Sequence, residues 1–256
     1  MSPGVQKLLR RLAVLAFWLL VWALAAAAAG KELLLPTPLS VGQELAGLAG
    51  TADFWLTLGS SILRILTGIS SAVILGVSVG LLTHKSALAR ELFSPLMTLL
   101  KSTPVASFII LALVWLGRSS VPVFIAGLMV LPVVWANTAA GLAGIDPRLL
   151  ELARVYRLPR GRVLRRIVWP SVLPHLRAAL RSALGLGWKA GIAAEVLTVP
   201  PYSIGKRIYE AKLYLETTEL FAWTAAVVAL SFLIERVLLR LVDGIGRKEN
   251  GHARAE

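Results

Sequence analysis

The chain has 256 residues, of which 57% are hydrophobic and 16% charged, and its formal net charge is +13. Soluble domains are about 45–50% apolar, so this composition excludes an ordinary soluble domain and favours a membrane protein. In a soluble protein the positive charge would suggest nucleic acid. In a membrane protein the lysines and arginines of cytoplasmic loops explain it, and we expect no nucleic-acid partner. The chain has no cysteine, and His84, His175 and His252 are far apart, so we expect no metal site.

The apolar residues are concentrated in blocks of about 17–25 residues, the length that a helix needs to cross about 30 Å of hydrocarbon. We therefore predict an all-α, polytopic membrane protein with six transmembrane helices. The predicted spans cover residues 12–29, 61–82, 95–116, 121–142, 183–199 and 221–241. The chain then divides into an N-terminal span with its outside segment (1–59), a transmembrane domain (60–243) and a polar, disordered cytoplasmic tail (244–256).

The first block has an alternative interpretation as a cleaved secretory signal peptide. Lys7, Arg10 and Arg11 precede it, and an alanine-rich stretch ends it before Lys31. The block is long for a signal peptide and five further blocks follow it, so we predict a retained span and leave cleavage open.

The distribution of positive charge predicts the orientation of the spans. If the N-terminus is cytoplasmic, most of the 27 lysines and arginines fall in cytoplasmic segments. Because cytoplasmic loops carry the excess of these residues in membrane proteins, both termini are predicted to lie in the cytoplasm.

The strongest concentration of arginine lies between the fourth and fifth spans, in the sequence ELARVYRLPRGRVLRRIVWPSVLP at residues 151–174. Just before it, Asp146 is a good helix N-cap and Pro147 suits the first helical position, so a helix is predicted to begin there. Apolar residues then recur at the spacing of one helical face. They are Leu149, Leu152, Ala153 and Tyr156.

A bend is predicted after this helix. It should end at Leu158, because Pro159 disfavours the helical conformation in the residue before it. Gly161 is expected to complete the turn, and a second short amphipathic helix is expected to begin near Arg162.

Two interpretations of this basic segment are open. It can be a loop that sets the topology and contacts anionic lipid headgroups. Such a loop needs charge, but it needs neither a capped helix with an apolar face nor the prolines Pro170 and Pro174, which are expected to break or kink the chain before the fifth span. An apolar stripe beside a cationic rim is typical of an element that docks to another protein.

The segment resembles the EAA loop of ABC-importer permeases, whose pattern is Glu-Ala-Ala, three residues, Gly, nine residues and Ile-x-Leu-Pro. Glu151, Ala153, Ile167 and Pro170 match at the right spacing. Leu152 stands for the second alanine, Arg157 for the glycine and Trp169 for the leucine, so the bend is expected to have moved to residues 159–161. The ATPase-coupling residues that the resemblance implies are Glu151, Ala153, Tyr156, Gly161, Ile167 and Pro170.

Other segments resemble the same family over most of the chain after the first span. SSILR at residues 60–64, with Gly68, looks like the opening of its second span. KSTP at 101–104 and WLG at 115–117 look like the motifs of its third. GLGWKAGIAAE at 185–195 resembles the fifth span of the nitrate/sulfonate/taurine branch, which often ends in Ala-Glu.

The resemblance implies a type I importer fold of six spans in a bacterial cytoplasmic membrane, with the permease working as a dimer, which we expect to be a homodimer. It also implies two partners: a separate ABC ATPase subunit, and a periplasmic or lipid-anchored binding protein that delivers the substrate. The chain has no Gly-x-x-x-x-Gly-Lys-[Ser/Thr] phosphate loop. We therefore expect no cofactor and no catalytic residue in this chain, with ATP bound by the partner.

Three cations lie within predicted spans, where charged residues are costly and often functional: Arg64, Lys101 and Lys189. The simpler interpretation is that each extends its charged group towards the membrane surface. Alternatively, together with Pro104 and Glu195, they line the translocation pathway and favour an anionic substrate. Glu195 follows Lys189 by six residues, which places the two on different faces of a helix, so each needs a partner from another span or subunit.

Two further features have structural and functional interpretations. The glycine pairs Gly76–Gly80 and Gly187–Gly191 allow close helix approach, for which we favour packing within the chain over a dimer interface. The sequence PPYSIG at residues 200–205 predicts a turn before a short surface helix on the outside. That helix is either an interfacial anchor or a contact for the binding protein.

The leading prediction is thus a permease driven by a partner ATPase. The alternative is a secondary transporter or channel that uses the intramembrane charges, although Glu195 is the only clear carboxylate in the predicted spans. A membrane enzyme has no supporting His/Asp/Glu cluster. The substrate itself cannot be derived from the residues, and only the resemblance suggests a small anion such as a sulfonate.

Overall fold

The computed structural model describes the backbone of residues 3–252, and the side chains of residues 4–238 and 240. Within these residues the chain is helical and contains no strand, as predicted. The helices are α1 (Pro3–Ala29), α2 (Pro38–Ala49), α3 (Ala52–Lys85), α4 (Ala87–Ser102), α5 (Val105–Trp115), α6 (Val121–Ala143), α7 (Pro147–Val155), α8 (Arg160–Val163), α9 (Trp169–Thr198), α10 (Ile204–Leu213) and α11 (Thr217–His252). A π-helical segment, Leu164–Val168, joins α8 to α9.

Most helix starts between the spans are determined by local capping chemistry. Thr51, Ser86, Asp146 and Ser203 each precede a helix, and each side chain accepts a hydrogen bond from a backbone N–H of the first turn. These N–H groups have no acceptor inside the helix, so such a cap compensates for a bond that the helix itself cannot make.

The core of the molecule is formed by α3, α6 and α9, which pack along most of their lengths. Both predicted glycine pairs lie in this core. A Cβ at Gly76 or Gly80 would contact α6, and a Cβ at Gly187 or Gly191 would contact residues such as Ile65 on α3 or Val130 on α6. The prediction that these glycines serve packing within the chain is therefore confirmed.

The third predicted span, residues 95–116, is not one helix, and this prediction is wrong. The helical structure in this region begins before residue 95, at Ala87 of α4. The helices α4 and α5 meet at an angle of 109°. Pro104 is the physical reason: it has no N–H to continue the helix, and it holds Thr103 in an extended conformation with ψ of 134°. A second proline, Pro95, lies inside α4 without ending it.

Length and hydropathy identify fewer spans in the structure than the six predicted. Among the described residues, α1, α3, α6 and α11 are long and apolar enough to cross a membrane, and the count is five if the bent pair α4–α5 forms one broken span rather than a re-entrant loop. The fifth predicted span, residues 183–199, forms the second half of the longer helix α9, where Arg181, Lys189 and Glu195 interrupt the apolar sequence. The count of six spans stays a prediction.

The two terminal helices lie at the periphery of the core. In α1 almost every side chain is exposed, although Trp22 donates a hydrogen bond to the Pro36 carbonyl and packs against Phe221 of α11. At the other end, α11 continues to His252, so the disordered tail predicted for residues 244–256 is wrong for 244–252. That segment contains no proline to end the helix, although Gly244 and Gly246 are poor helix formers. Residues 253–256 lie outside the described residues.

Candidate functional site

The segment with the EAA-like pattern begins as predicted. Helix α7 starts at Pro147, and the Asp146 Oδ1 atom accepts a hydrogen bond of 2.9 Å from the Arg148 N–H. The proline is at the first helical position, where a missing N–H costs nothing. The Asp-Pro cap predicted from the sequence is therefore confirmed.

The end of α7 is a turn around a left-handed residue, Arg157, with φ of 48°. The Leu158 N–H donates to the Ala153 carbonyl at 2.9 Å, and the Arg157 N–H donates to the Arg154 carbonyl at 3.0 Å. This pair of hydrogen bonds defines a Schellman motif, in which the left-handed position is usually glycine. Arg157 stands at the position of the glycine in the EAA pattern, so the geometry of that pattern is kept without the glycine.

The predicted bend exists, but its predicted position is wrong. The chain turns over residues 156–159, and the next helix begins at Arg160, so Gly161 is helical and does not complete the turn. The sequence reasoning assumed that the loss of the glycine would move the bend. Instead, Pro159 and the hydrogen bonds of the turn hold Arg157 in a conformation that costs roughly 1–2 kcal/mol for a residue with a side chain.

Pro170 and Pro174 do not break the helix, so that part of the prediction is wrong, whereas a kink at these prolines stays a prediction. The helix runs on from Arg160 through the π-helical segment to Thr198. Trp169 lies between the π-helical segment and Pro170. Its N–H donates to the carbonyl of Leu164, the first residue of that segment. The wider π turn relieves the clash of a proline ring with the preceding turn. The Ser171 hydroxyl donates to the Ile167 carbonyl at 2.7 Å and replaces part of the lost backbone bonding.

The segment has an inner and an outer apolar face. On the inner face, Ala153 is buried, and Leu150, Ile167 and Val168 pack against a small core at the end of α6. The predicted stripe therefore contains one buried residue only, Ala153. On the outer face five large apolar side chains are exposed, which we call the coupling surface: Leu149, Leu152, Val155, Tyr156 and Leu164.

The coupling surface includes a residue that the sequence analysis missed. Val155 is 77% exposed and its neighbour Tyr156 is 71% exposed. Val155 follows Leu152 by three residues, so the spacing of a helical face was the signal that could have identified it. Glu151 and Pro170, which match the EAA pattern, are exposed as well, whereas the matching residue Ile167 packs inwards.

The intramembrane charges do not form one group. Arg64 and Glu195 meet: the Arg64 Nη1 atom donates to the Glu195 Oε1 atom at 2.5 Å, and Glu195 is 0% exposed. The partner of Glu195 thus comes from another helix, α3, as the helical spacing required. Because a buried charge is costly without a partner, each member of the pair makes the burial of the other possible.

Two more groups complete what we call the Glu195 cluster, formed by Ser61, Arg64, Glu195 and Gly205. The Glu195 Oε2 atom accepts hydrogen bonds from the Ser61 hydroxyl at 2.8 Å and from the Gly205 N–H at 3.2 Å. The Ser61 Oγ atom in turn accepts from the Ile204 N–H at 2.9 Å. The cluster therefore joins α3, α9 and α10.

Lys101, Pro104 and Lys189 lie elsewhere. Lys101 is exposed in the last turn of α4, and Pro104 is the exposed residue that precedes α5. Lys189 lies on an exposed stripe of α9 that includes Leu186 and Leu197. Neither lysine has an ion pair among the described side chains. Their place in a translocation pathway, like that of Arg64 and Glu195, stays a prediction.

A cavity of about 430 Å³ lies between the start of α11 and the segment around α2. It is lined by four carboxylates: Glu32, Glu44, Glu216 and Glu219. A hydrogen bond to Glu219 raises the pKa of Glu216 above its ordinary value, and the negative charges of Glu219 and Glu44 act in the same direction. Within the described residues no group of His, Cys, Asp or Glu has an arrangement that could hold a metal ion.

The chain is similar to known transport proteins. The model of the family described as "Binding-protein-dependent transport system inner membrane component" matches residues 72–248. The taurine transport system permease protein TauC of Escherichia coli is 27% identical over 84% of this chain and 80% of its own length. The bicarbonate transport system permease protein CmpB of Synechococcus elongatus is 29% identical over 72% of this chain and 66% of its own.

A solved structure shares the fold. It is a chain of a bacterial ABC transporter involved in the import of the acidic polysaccharide alginate, with a TM-score of 0.56 and 18% identity. The match covers 96% of this chain and 99% of the other. Similarity at this level of identity concerns the fold alone.

Proposed function

The chain belongs to the family of binding-protein-dependent inner-membrane transport components, and from this premise we propose that it is the permease subunit of an ATP-driven importer for a small anion. The observation that carries the proposal is the coupling surface. Five large apolar side chains are exposed on a short, capped and strongly basic segment, where a loop that only sets topology needs none. The chain itself is not an enzyme in this proposal, and a separate ATPase hydrolyses ATP.

Coupling to the ATPase follows from the shape of this segment. The Asp146 cap and the turn at Arg157 give α7 a defined length and direction, and the packing of Leu150 against Leu142 and its neighbours attaches it to the end of α6. Movement of a docked ATPase would then be transmitted to α6 directly and to α9 through the unbroken helix from Arg160. Glu151, exposed on the same helix, supplies a charge for contact with the partner.

The proposed substrate class is a small anion. Two similar proteins are named for taurine and bicarbonate, each of which carries a negatively charged group at neutral pH. In this chain Lys101 and Lys189 are exposed on helices of the transmembrane domain and are not neutralised by a described ion pair. Unpaired cations beside a low-dielectric pathway attract anions strongly.

The assembly we propose is a homodimer in a bacterial cytoplasmic membrane, with both termini in the cytoplasm. Its partners are the ABC ATPase on the cytoplasmic side, and a periplasmic or lipid-anchored binding protein on the outer side. The coupling surface supports the first partner. The charge bias of the loops supports the orientation.

Co-purification tests this function. We expect an ATPase subunit encoded with the permease to remain bound to the wild-type chain in detergent and to be lost from Val155→Asp, because the charge would be buried in the docking groove. Leu213→Asp is the matched control, since this residue is also exposed at the end of a short helix but lies on the predicted outer side. If the wild type retains no ATPase, or Val155→Asp retains as much as the control, the proposal fails and a secondary transporter or channel becomes the better reading.

A further inference from the structure

The carboxylate of Glu195 caps a helix that belongs to a different part of the chain. At the start of α10, the Ile204 N–H donates to Ser61, the Gly205 N–H donates to Glu195 and the Lys206 N–H donates to Ser203. The first N–H groups of a helix have no acceptor within it, and the helix dipole favours a negative charge at this end. Glu195 therefore supplies both an acceptor and the charge that α10 needs.

The fit between α9 and α10 at this point leaves no space. A Cβ atom at Gly205 would overlap the Cβ atom and the backbone of Glu195. Only glycine lets the start of α10 approach the Glu195 carboxylate closely enough for the hydrogen bond from its N–H. The contact between α9 and α10 thus depends on a residue without a side chain as well as on the carboxylate.

Arg64 also binds the segment that connects α9 to α10, residues 199–203. Its Nη1 atom binds Glu195, and its Nη2 atom donates to the Pro201 carbonyl at 3.3 Å. The Arg64 side chain is 12% exposed. Both ends of the guanidinium form hydrogen bonds within the chain. A substrate could therefore bind Arg64 or Glu195 only after residues 199–203 had moved away from them.

The connection itself is strained. Val199 and Tyr202 both have φ of 48°, a left-handed conformation that is unusual for any residue with a side chain and more so for the branched valine. Such conformations persist only where surrounding contacts hold them. In this segment those contacts are the Arg64 bond to Pro201 and the bond of 2.8 Å from the Ser203 hydroxyl to the Pro200 carbonyl.

Helix α10 contacts three other helices of the bundle, α3, α9 and α11. It packs against α9 and α11, with Ala211 buried, and Arg207 forms an ion pair with Asp53 near the start of α3. By the predicted orientation this end of the bundle faces the outside. Helix α10 therefore lies at the end of the bundle that a substrate delivered from outside would reach first.

We propose that α10 and residues 199–203 form an outer gate. The hydrogen bonds and the ion pair of the Glu195 cluster hold this gate closed. The Arg64–Glu195 pair is then a positioning pair for transport and not a substrate site. When the gate opens, α10 moves away from α9, the N–H groups of Ile204 and Gly205 exchange their protein acceptors for water, and the strained residues relax. The role of the gate in import rests on the proposed function, whereas the fastening of α10 does not.

Cysteine accessibility tests the gate, because the wild-type chain has no cysteine and a single introduced thiol is unique. Ala211→Cys places that thiol on the inner face of α10, at a residue that is 1% exposed. The complete transporter is reconstituted in vesicles with the outer face accessible, and labelled with a membrane-impermeant maleimide. Labelling is measured without nucleotide and after trapping with ATP and vanadate.

We expect slow labelling in the resting transporter and labelling at least fivefold faster in the trapped state. In the Glu195→Gln background labelling should be fast in both states, since the charge that caps α10 and pairs with Arg64 is gone. Ser61→Ala, which removes two hydrogen bonds and no charge, is a second variant with an intermediate rate in case Glu195→Gln does not fold. Glu210→Gln is the matched control, because this carboxylate lies on α10 itself but makes only surface ion pairs with Lys206 and Arg207.

Two results would overturn the inference. Equal labelling of the wild type in both states would show that α10 is a static part of the fold, even if Glu195→Gln loosens it. Labelling of Glu195→Gln and Ser61→Ala at the rate of Glu210→Gln would show that the cluster does not fasten α10. If no ATPase is retained, the proposed function fails, and the resting-state comparison of the variants still decides whether the cluster holds α10.

Discussion

Arg157 is the residue at which the segment with the EAA-like pattern departs most clearly from ordinary backbone geometry. Its φ of 48° is held by the hydrogen bonds that end α7 and by Pro159, which directly precedes the next helix. A side chain in this conformation clashes with the following carbonyl, which glycine avoids.

Arg157→Gly is therefore expected to stabilise the chain. Relief of the left-handed strain favours the variant by roughly 1–2 kcal/mol, and the greater freedom of glycine in the unfolded chain offsets about 0.5–1 kcal/mol of this. A higher midpoint of thermal unfolding in detergent would show the gain. Arg154→Gly is the matched control, because it lies inside α7 and should lower the midpoint. Equal losses in the two variants would contradict the assignment of strain to Arg157.

At the scale of the element, the start of α11 combines helix capping with charge repulsion. Glu216 directly precedes the helix and Glu219 lies in its first turn, where the helix dipole favours negative charge, and the Trp223 Nε1–H donates to Glu219 at 3.0 Å. The two carboxylates also face each other and Glu44 across one cavity. The hydrogen bond between them requires one proton, which is why the pKa of Glu216 is raised.

The stability contributed by this proton is expected to depend on pH. It is fully present below the pKa of an unfolded glutamate, about 4.3, and is lost as the pH rises through the higher pKa of the folded chain. Glu216→Gln keeps the neutral form at every pH. The variant should therefore unfold at a higher temperature than the wild type at pH 7, and at the same temperature at about pH 3.

The control for this experiment is Glu91→Gln, an exposed glutamate on α4 far along the chain from the cavity. It should not reproduce the difference between the two pH values. A Glu216→Gln variant that is less stable than the wild type at pH 7 would show that helix capping by the charge outweighs the repulsion.

At the scale of the whole molecule, the bundle leaves one side of α9 without a partner. Ala190 and Ala194 pack against Ile109 and Ala112 of α5, while Lys189 lies on the neighbouring exposed stripe. The α5 helix reaches α9 only because the chain bends by 109° at Pro104. The bend therefore determines what lies beside Lys189.

Lys189→Met is expected to reduce uptake of an anionic substrate at subsaturating concentration by about tenfold or more, equivalent to about 1.4 kcal/mol. The reason is the loss of a positive charge that has no ion pair among the described side chains and that we propose lies beside the pathway; methionine retains most of the length of the side chain. Uptake into vesicles, at matched amounts of assembled complex, gives the measurement. Lys206→Met, on α10, is the control and should change uptake little. Unchanged uptake in Lys189→Met would remove this residue from the pathway.

Several features of the molecule were determined by the sequence itself. Blocks of apolar residues predicted an all-helical membrane protein, the Asp146–Pro147 pair predicted the start of α7, and Glu151 with its neighbours pointed to the permease family. These features depend on interactions within a few residues or on average hydropathy, and both are visible in a linear sequence.

Other features were decided by the tertiary structure. Arg64 and Glu195 are 131 positions apart, and only the packing of α3 against α9 brings them together. The same is true of the exposed face of α7, since the burial of Ala153 and the packing of Leu150 near the end of α6 leave Val155 and Tyr156 outside. The turn stays at Arg157, although this residue does not favour it, because Pro159 and the surrounding hydrogen bonds outweigh its local preference. Local chemistry specifies where helices begin, whereas long-range packing selects the partner of each charge and the face that each helix exposes.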